Sequence, residues 1–346
     1  MKLRSYYLYF VLLLFCFSST AEEIDSVDSQ PNNTSKNVIS PDPLNINNGL
    51  SSQNLLNMVP SNGINGVTSS LSNTVSNKLQ SSTINTVRTY LEKYFPTVEI
   101  MEAVGGSTTT QQGVLVLTPL FINDVKNTLF TQDSVYHYGG NRTVLNMGLG
   151  YRRLEIDNKL LLGANSFYDQ EFPYNHGRTS LGLEARTSVG EVNFNQYWGT
   201  TGWKTVSNGY QERSLGGTDL ELGVPLPYIN WTKLYVRGFV WYSVDNVGDL
   251  KGNDVTLRTE LPLVKGLAVE LGHRTYNNLP DENFMKITFN AMDLFKQKST
   301  TKWFNDKAFE LTSMESKRFD KVRRENIIIK QTRSSNGGFT VSVKGY

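Results

Sequence analysis

The stretch Leu145-Asn146-Met147-Gly148-Leu149-Gly150-Tyr151-Arg152 decides the fold. Leu145, Met147, Leu149 and Tyr151 fall on one side of an extended chain. Asn146, Gly148, Gly150 and Arg152 fall on the other. A period of two is the mark of a β-strand with two unlike faces. The same alternation recurs downstream. Leu181, Leu183 and Ala185 oppose Gly182, Glu184 and Arg186, and Leu267, Val269 and Leu271 oppose Ala268, Glu270 and Gly272.

Extending this reading in both directions predicts twelve strands. They span residues 97–103, 114–121, 127–136, 143–153, 159–168, 179–187, 191–198, 213–222, 232–242, 254–261, 267–275 and 283–291. The gaps between them alternate in length, with the first gap long. Long loops on one side and short turns on the other are expected of an outer-membrane barrel. With an even strand count, both barrel ends then lie on the short-turn, periplasmic side.

Face chemistry agrees. The polar faces carry Glu184, Arg186, Asp219, Glu221, Arg237, Arg258, Glu260, Glu270, Arg274 and Lys286. An Arg or Lys facing lipid at mid-depth costs about 2–4 kcal/mol, whereas a charge in a wet lumen costs little. These charges are therefore expected to face inward and pair across strands. Tyr151, Tyr168, Trp198, Tyr242 and Tyr276 lie near strand ends, where an interfacial aromatic girdle belongs. A secreted β-sandwich also alternates, but it does not explain twelve consecutive strands with unequal gaps.

The flanks differ in composition. Lys2 and Arg4, the apolar run 11–17 and the small residues Ser19-Thr20-Ala21 form an expected signal peptide over 1–21. The sole cysteine, Cys16, lies within it, so disulfides and cysteine chemistry are excluded from the mature chain. Residues 22–66 are Ser- and Asn-rich and read as a disordered linker. Val67, Leu71, Val75, Leu79, Val87 and Leu91 predict a periplasmic helix over 67–95, ended by Pro96. After the barrel (97–291), residues 292–346 break the period. Residues 293–346 hold 12 Lys and Arg against 6 Asp and Glu. A short helix is expected around Phe309, Ser313, Lys317 and Lys321. This basic segment either lies in the periplasm or threads the lumen and meets the inward carboxylates.

Composition narrows function. Thirty-four basic and 32 acidic residues leave a net charge of +2, which argues against a nucleic-acid binder. No apolar run of 18 or more follows Ala21. No nucleophile motif, phosphate loop or dinucleotide fingerprint is present. His137, His176 and His273 lack metal-ligand spacing, and the first two fall in expected surface loops. No enzyme activity, metal or cofactor is expected. Gly148-Leu149-Gly150 falls short of a nucleotide-binding pattern and fits close strand packing.

Seven motifs in order resemble the inverse autotransporter barrel of the intimin/invasin family. They are Thr128-Leu129-Phe130-Thr131-Gln132, Leu145 to Arg152, Leu162-Gly163-Ala164-Asn165-Ser166-Phe167-Tyr168-Asp169 and Leu181-Gly182-Leu183-Glu184-Ala185, followed by Gly202-Trp203-Lys204, Leu226-Pro227-Tyr228 and Arg318-Phe319-Asp320-Lys321-Val322 with Arg324-Glu325-Asn326-Ile327-Ile328. The resemblance covers about 97–331. It implies a twelve-stranded antiparallel transmembrane β-barrel in the bacterial outer membrane, with a periplasmic N-terminus. It also implies a C-terminal linker that passes through the pore and carries a passenger to the surface.

On this resemblance, Arg318, Phe319, Asp320, Arg324, Asn326 and Ile327 belong to the pore linker. Arg318, Arg323 and Arg324 would pair with lumenal carboxylates, at about 0–1 kcal/mol each in a wet lumen. Partners would be outer-membrane lipids and the barrel-assembly machinery. Larger family members continue into immunoglobulin-like domains, whereas only about 15 residues follow Gln331 here. The expectation is a passenger-poor translocator that exports its own C-terminal segment, with a link to adhesion. A stand-alone structural or pore barrel is the alternative, as is a surface-binding module acting through loops 169–178, 199–212 and 243–253. The strand-like stretch 339–346 ends in an aromatic, but its apolar face is out of phase with Tyr346, so 283–291 is expected to close the barrel.

Overall fold

A computed structural model describes residues 94–105, 109–121, 124–139, 141–206, 209–245, 247–294, 303–334 and 339–342. The predicted signal peptide, the linker and all but the end of the predicted helix lie outside them. The strands in chain order are β1 (Thr97–Gly105), β2 (Thr109–Pro119), β3 (Asn127–Tyr138), β4 (Arg142–Glu155), β5 (Leu160–Phe172), β6 (His176–Thr187), β7 (Gly190–Gly199), β8 (Lys204–Thr205), β9 (Gln211–Ser214), β10 (Gly216–Leu226), β11 (Ile229–Tyr242), β12 (Leu250–Glu260), β13 (Leu267–Tyr276), β14 (Glu282–Asn290), β15 (Lys330–Arg333) and β16 (Phe339–Ser342).

Twelve of these form one closed antiparallel barrel, in the order β1-β14-β13-β12-β11-β10-β7-β6-β5-β4-β3-β2. β14 closes it on β1, with Glu99 opposite Asn290 and Gly105 opposite Phe284. Closure removes every free sheet edge, which a membrane-spanning sheet requires. β15 and β16 stay outside the barrel, in a four-stranded sheet ordered β16-β15-β9-β8.

Burial alternates along each strand as the pattern requires. On β4 the order of buried and exposed residues places Asn146 and Arg152 inside and Met147, Leu149 and Tyr151 outside. Leu181, Leu183, Leu220, Leu222, Val255 and Leu271 also present their side chains outward. This is an apolar belt around a polar interior. Inward glycines make room for aromatic rings on the next strand. A Cβ at Gly148 would lie 2.2 Å from Phe167, and one at Gly150 would lie 2.3 Å from Phe130. Gly148 is directly opposite Phe167, and Phe130 directly opposite Gly150.

Several expectations need correction. Most of the expected long loops are strand: β5 and β6 run on to Phe172 and His176, leaving only residues 173–175 between them. Only the connection 200–215 is long, and it carries β8 and β9. The expected strand 213–222 is two strands, because Arg213 and Ser214 belong to β9 in the outer sheet while β10 starts at Gly216. Tyr276 is not a girdle residue. It packs against Phe239, 5.9 Å between ring centroids, beside the buried cluster of Tyr197, Leu215, Phe239 and Trp241.

One rim of the barrel carries the connections 120–126, 156–159, 188–189, 227–228 and 261–266. The start of β1 and the end of β14 lie at the same rim. The opposite rim carries 200–215 and the outer sheet. These are called the entry rim and the far rim.

Candidate functional site

After the short 3-10 helix Ala291–Leu294, the described chain resumes at residue 303 on the entry rim. Met314 N–H donates to Asn158 O at 2.7 Å. Met314 then packs into the barrel mouth with Leu154 and Leu161. The 3-10 helix Glu315–Phe319 follows, shorter than the helix expected around Phe309 to Lys321. Beyond it the chain is extended, runs the length of the lumen, and joins the far-rim sheet as β15. Lys330 to Arg333 pair there with Ser214 to Gln211 of β9.

An extended chain in a closed lumen must find partners for its peptide groups there. The barrel wall supplies them from side chains. Thr97 Oγ1 donates to Phe319 O at 2.7 Å. Arg152 Nη1 donates to the carbonyls of Arg318 and Asp320 at 2.8 and 2.5 Å. Arg186 donates to Lys321 O, and Asn195 to Arg323 O. Higher up, Arg178 donates to Glu325 O and Ile327 O at 2.7 and 2.9 Å, and Asn146 to Asn326 O at 3.0 Å. Val322 N–H donates to Gln132, and Glu325 N–H to the Tyr197 hydroxyl.

Charges lock the side chains. Lys321 pairs with Glu99. Arg323 makes a two-toothed contact with Glu221 at 2.5 and 2.9 Å and lies 3.7 Å over the Tyr235 ring. Arg324 grips Asp169 at 2.7 and 3.0 Å and lies 4.2 Å over Phe167. Arg237 of β11 bridges Asp254 and Glu325. At the far rim Lys330 reaches Glu171 at 2.5 Å and the Tyr138 hydroxyl at 3.0 Å.

The structure places the residues singled out in the sequence as follows. Glu184 and Arg186 are buried on β6, and Glu184 pairs with both Arg152 and Arg186. Asp219 and Glu221 on β10 face inward; Asp219 accepts from Asn195 and Tyr197. Arg258 and Lys286 share Glu270, and Arg274 pairs with Asp254. Glu260 differs: it sits at the mouth with a half-exposed carboxylate, 3.9 Å from Arg258 and 4.0 Å from Lys317. In the segment, Arg318 meets the carbonyls of Asp124 and Val125 in the 120–126 connection. The expected lumenal carboxylate for Arg318 is not its partner. Asn326 donates to the Tyr136 hydroxyl, and Ile327 is packed with Met101, Tyr136 and Tyr138.

The expected wet lumen needs correction too. The side chains of Asp169, Arg178 and Arg324 are all 0% exposed. The segment and the inward side chains occupy much of the interior, and among the described residues a pocket remains between Glu99, Glu270, Lys286 and Arg323. Such pairs are not surface ion pairs. Removing one partner of a buried pair costs about 3–5 kcal/mol, because a charge is stranded.

Sequence reasoning missed Asp169, Glu171 and Arg178, which it assigned to a loop. They continue the inward phase of Asn165 and Phe167 on β5 and of Ser180 and Glu184 on β6. His176, expected in a solvated loop, is wholly buried on β6. Its Nε2 lies 3.5 Å from Glu212 Oε2. Glu171, His176 and Glu212 bring one ligand atom each within 4.8 Å of one another, a grouping that sequence spacing does not reveal. Arg142 already bridges both carboxylates, and Lys330 occupies the other oxygen of Glu171. The cluster is thus already neutralised by two cations, and a divalent ion would have to displace them.

A chain solved in work on the in-meso crystallisation of membrane proteins superposes with a TM-score of 0.56 at 20% identity, covering 68% of this chain and 100% of the other. Intimin of Citrobacter freundii is 26% identical over 218 residues, and intimin of Escherichia coli O127:H6 is 25% identical over 203 residues. The matches cover 60% and 56% of this chain. The chain spans about a fifth of the length of these relatives, 22% and 21%. Residues 51–326 match the model of the inverse autotransporter β-domain. The barrel therefore belongs in the bacterial outer membrane, and the chain is a member of the inverse autotransporter β-domain family.

Proposed function

We propose that this barrel is a translocator that exports its own C-terminal segment to the cell surface and then keeps the segment in the pore as a plug. The observation that carries the reading is the course of residues 314–333. They enter at the rim that holds both barrel ends and finish as β15 on the far rim, paired with β9. In a barrel whose two ends face the periplasm, that far rim faces outside.

The wall is suited to this task. It holds the segment largely by donating from Arg152, Arg178, Asn146 and Asn195 to main-chain carbonyls. Every peptide carries such a carbonyl, so these contacts suit an extended chain of varied sequence. The ion pairs of Arg323, Arg324 and Lys330 then fix one register. No catalytic role is needed for this activity. A link to adhesion would run through the far-rim sheet or through a passenger, as the likeness to the much longer intimins suggests.

Ion conductance in planar bilayers separates this reading from a stand-alone pore. The full chain should be nearly closed, and a chain lacking residues 293–346 should conduct steadily. Equal conductance of the two forms would count against the plug and favour a barrel with a structural or loop-mediated role.

A further inference from the structure

The described part of the chain between barrel and lumen, residues 303–312, does not cross the mouth directly; it follows the rim. Asn305 N–H donates to Tyr228 O at 2.8 Å, and Tyr228 N–H to Ala308 O at 3.2 Å, at the β10–β11 turn. Trp231 Nε1 donates to Trp303 O at 3.1 Å. Ser188 of the β6–β7 turn then donates to Glu310 O and accepts from Thr312 N–H, at 2.6 and 2.8 Å. Met314 is held at the β4–β5 turn. These are three consecutive hairpins around the barrel, in sheet order.

This strap is apolar where water should favour polar residues. Trp303, Phe304, Phe309 and Leu311 are each at least half exposed. The other entry-rim turns show the same feature. Phe121, Ile156, Tyr228 and Leu263 stand exposed on four of the five turns among the described residues. The fifth, Ser188 and Val189, has no such residue of its own, and that is where Glu310 and Thr312 are bonded to Ser188. Phe309 and Leu311 thus complete a ring of exposed apolar side chains around the rim.

Depth identifies the partner. The outward apolar belt reaches Val192 on β7, three residues from Val189. At about 3.3 Å per residue that is about 10 Å of strand, or about 8 Å along the normal at a tilt near 40°. The headgroup layer is about 5–7 Å deep on each side of the hydrocarbon. The strap and turns therefore lie at the outer edge of the headgroup layer, within side-chain reach of the zone where Trp and Tyr, with an apolar body and a polar tip, are most stable. Lys307, exposed and paired with Glu310, keeps its charge in the same layer.

We infer that residues 303–312 form an interfacial collar that binds the phospholipid surface of the inner leaflet and fixes the barrel's depth and the point where the linker enters. The inference rests on outer-membrane placement and not on export of the tail. Because Cys16 is the only cysteine, a Cys16→Ser background allows single nitroxide labels at Phe304→Cys and Phe309→Cys. Leu183→Cys on the outward face serves as the lipid reference, and Thr205→Cys on β8 as the water reference. In phospholipid liposomes, labels at 304 and 309 should favour oxygen over a water-soluble nickel chelate at least threefold more than the label at 205, as the label at 183 does. A ratio matching position 205 would overturn the collar, because the strap would face water. Low accessibility to both relaxants would also overturn it, because the strap would be covered by protein.

Discussion

Arg324 of the threading segment and Asp169 of β5 meet in a two-toothed ion pair, 2.7 and 3.0 Å long, with neither side chain exposed. Asp169 also accepts from Arg178 of β6 and Asn146 of β4. Arg178 in turn holds the carbonyls of Glu325 and Ile327. One wall carboxylate thus organises two arginines, one on the segment and one gripping its backbone.

The two partners should therefore not be equivalent. Asp169→Ala strands two arginines, whereas Arg324→Ala leaves Asp169 still paired with Arg178. Asp169→Ala should destabilise the folded barrel by about 3–5 kcal/mol, and Arg324→Ala by less. Midpoints of heat-induced unfolding, read from the mobility shift of the folded barrel on gels, check this order. Equal effects would argue against the double role of Asp169.

Glu260 and Glu270 were alike in the sequence but are unlike in the structure. Glu270 is buried between Arg258, Lys286 and Arg323, whereas Glu260 is half exposed at the mouth. Glu260→Gln should change stability by less than about 1 kcal/mol, as exposed pairs do. Glu270→Gln should cost several times more and raise the leak conductance. The same two assays decide it.

Gly148 and Gly150 take the rings of Phe167 and Phe130 against their bare backbone. Gly148→Val should cost about 1–3 kcal/mol through overpacking. The double variant with Phe167→Ala should recover part of that loss. No recovery would mean that the ring is not what excludes the side chain.

Lys330, the first residue of β15, is buried and anchors the far-rim sheet to Glu171 of β5. Lys330→Met leaves Glu171 still paired with Arg142, so it should destabilise the barrel less than Asp169→Ala but loosen β15 from β9. Limited proteolysis of purified protein should then cut beyond residue 333 several-fold faster. An unchanged cutting rate would place the anchor elsewhere.

The barrel was legible in the sequence because lipid imposes a contrast. Leu181 and Leu183 face hydrocarbon while Glu184 and Arg186 face inward, and that contrast marks each strand and its faces. The contrast fades above the membrane, and there the reading failed. On β5 the inward phase continues through Asp169 and Glu171, but Gln170 outside them is polar, so the strand end resembled a loop. The leading inward charges were legible by phase alone. Their state was not: whether Arg324 meets water or Asp169 depends on what fills the lumen, which only the folded course of the segment determines. His176 shows the same limit, since the neighbour beside its buried ring, Glu212 of β9, is distant in sequence.

Export requires that the far rim face outside and carry the C-terminal segment with it. An epitope placed after Tyr346 tests this most directly, by antibody labelling of intact and of permeabilised cells. Intact cells should label at the level seen after permeabilisation. Labelling that appears only after permeabilisation would put the C-terminus in the periplasm and contradict export.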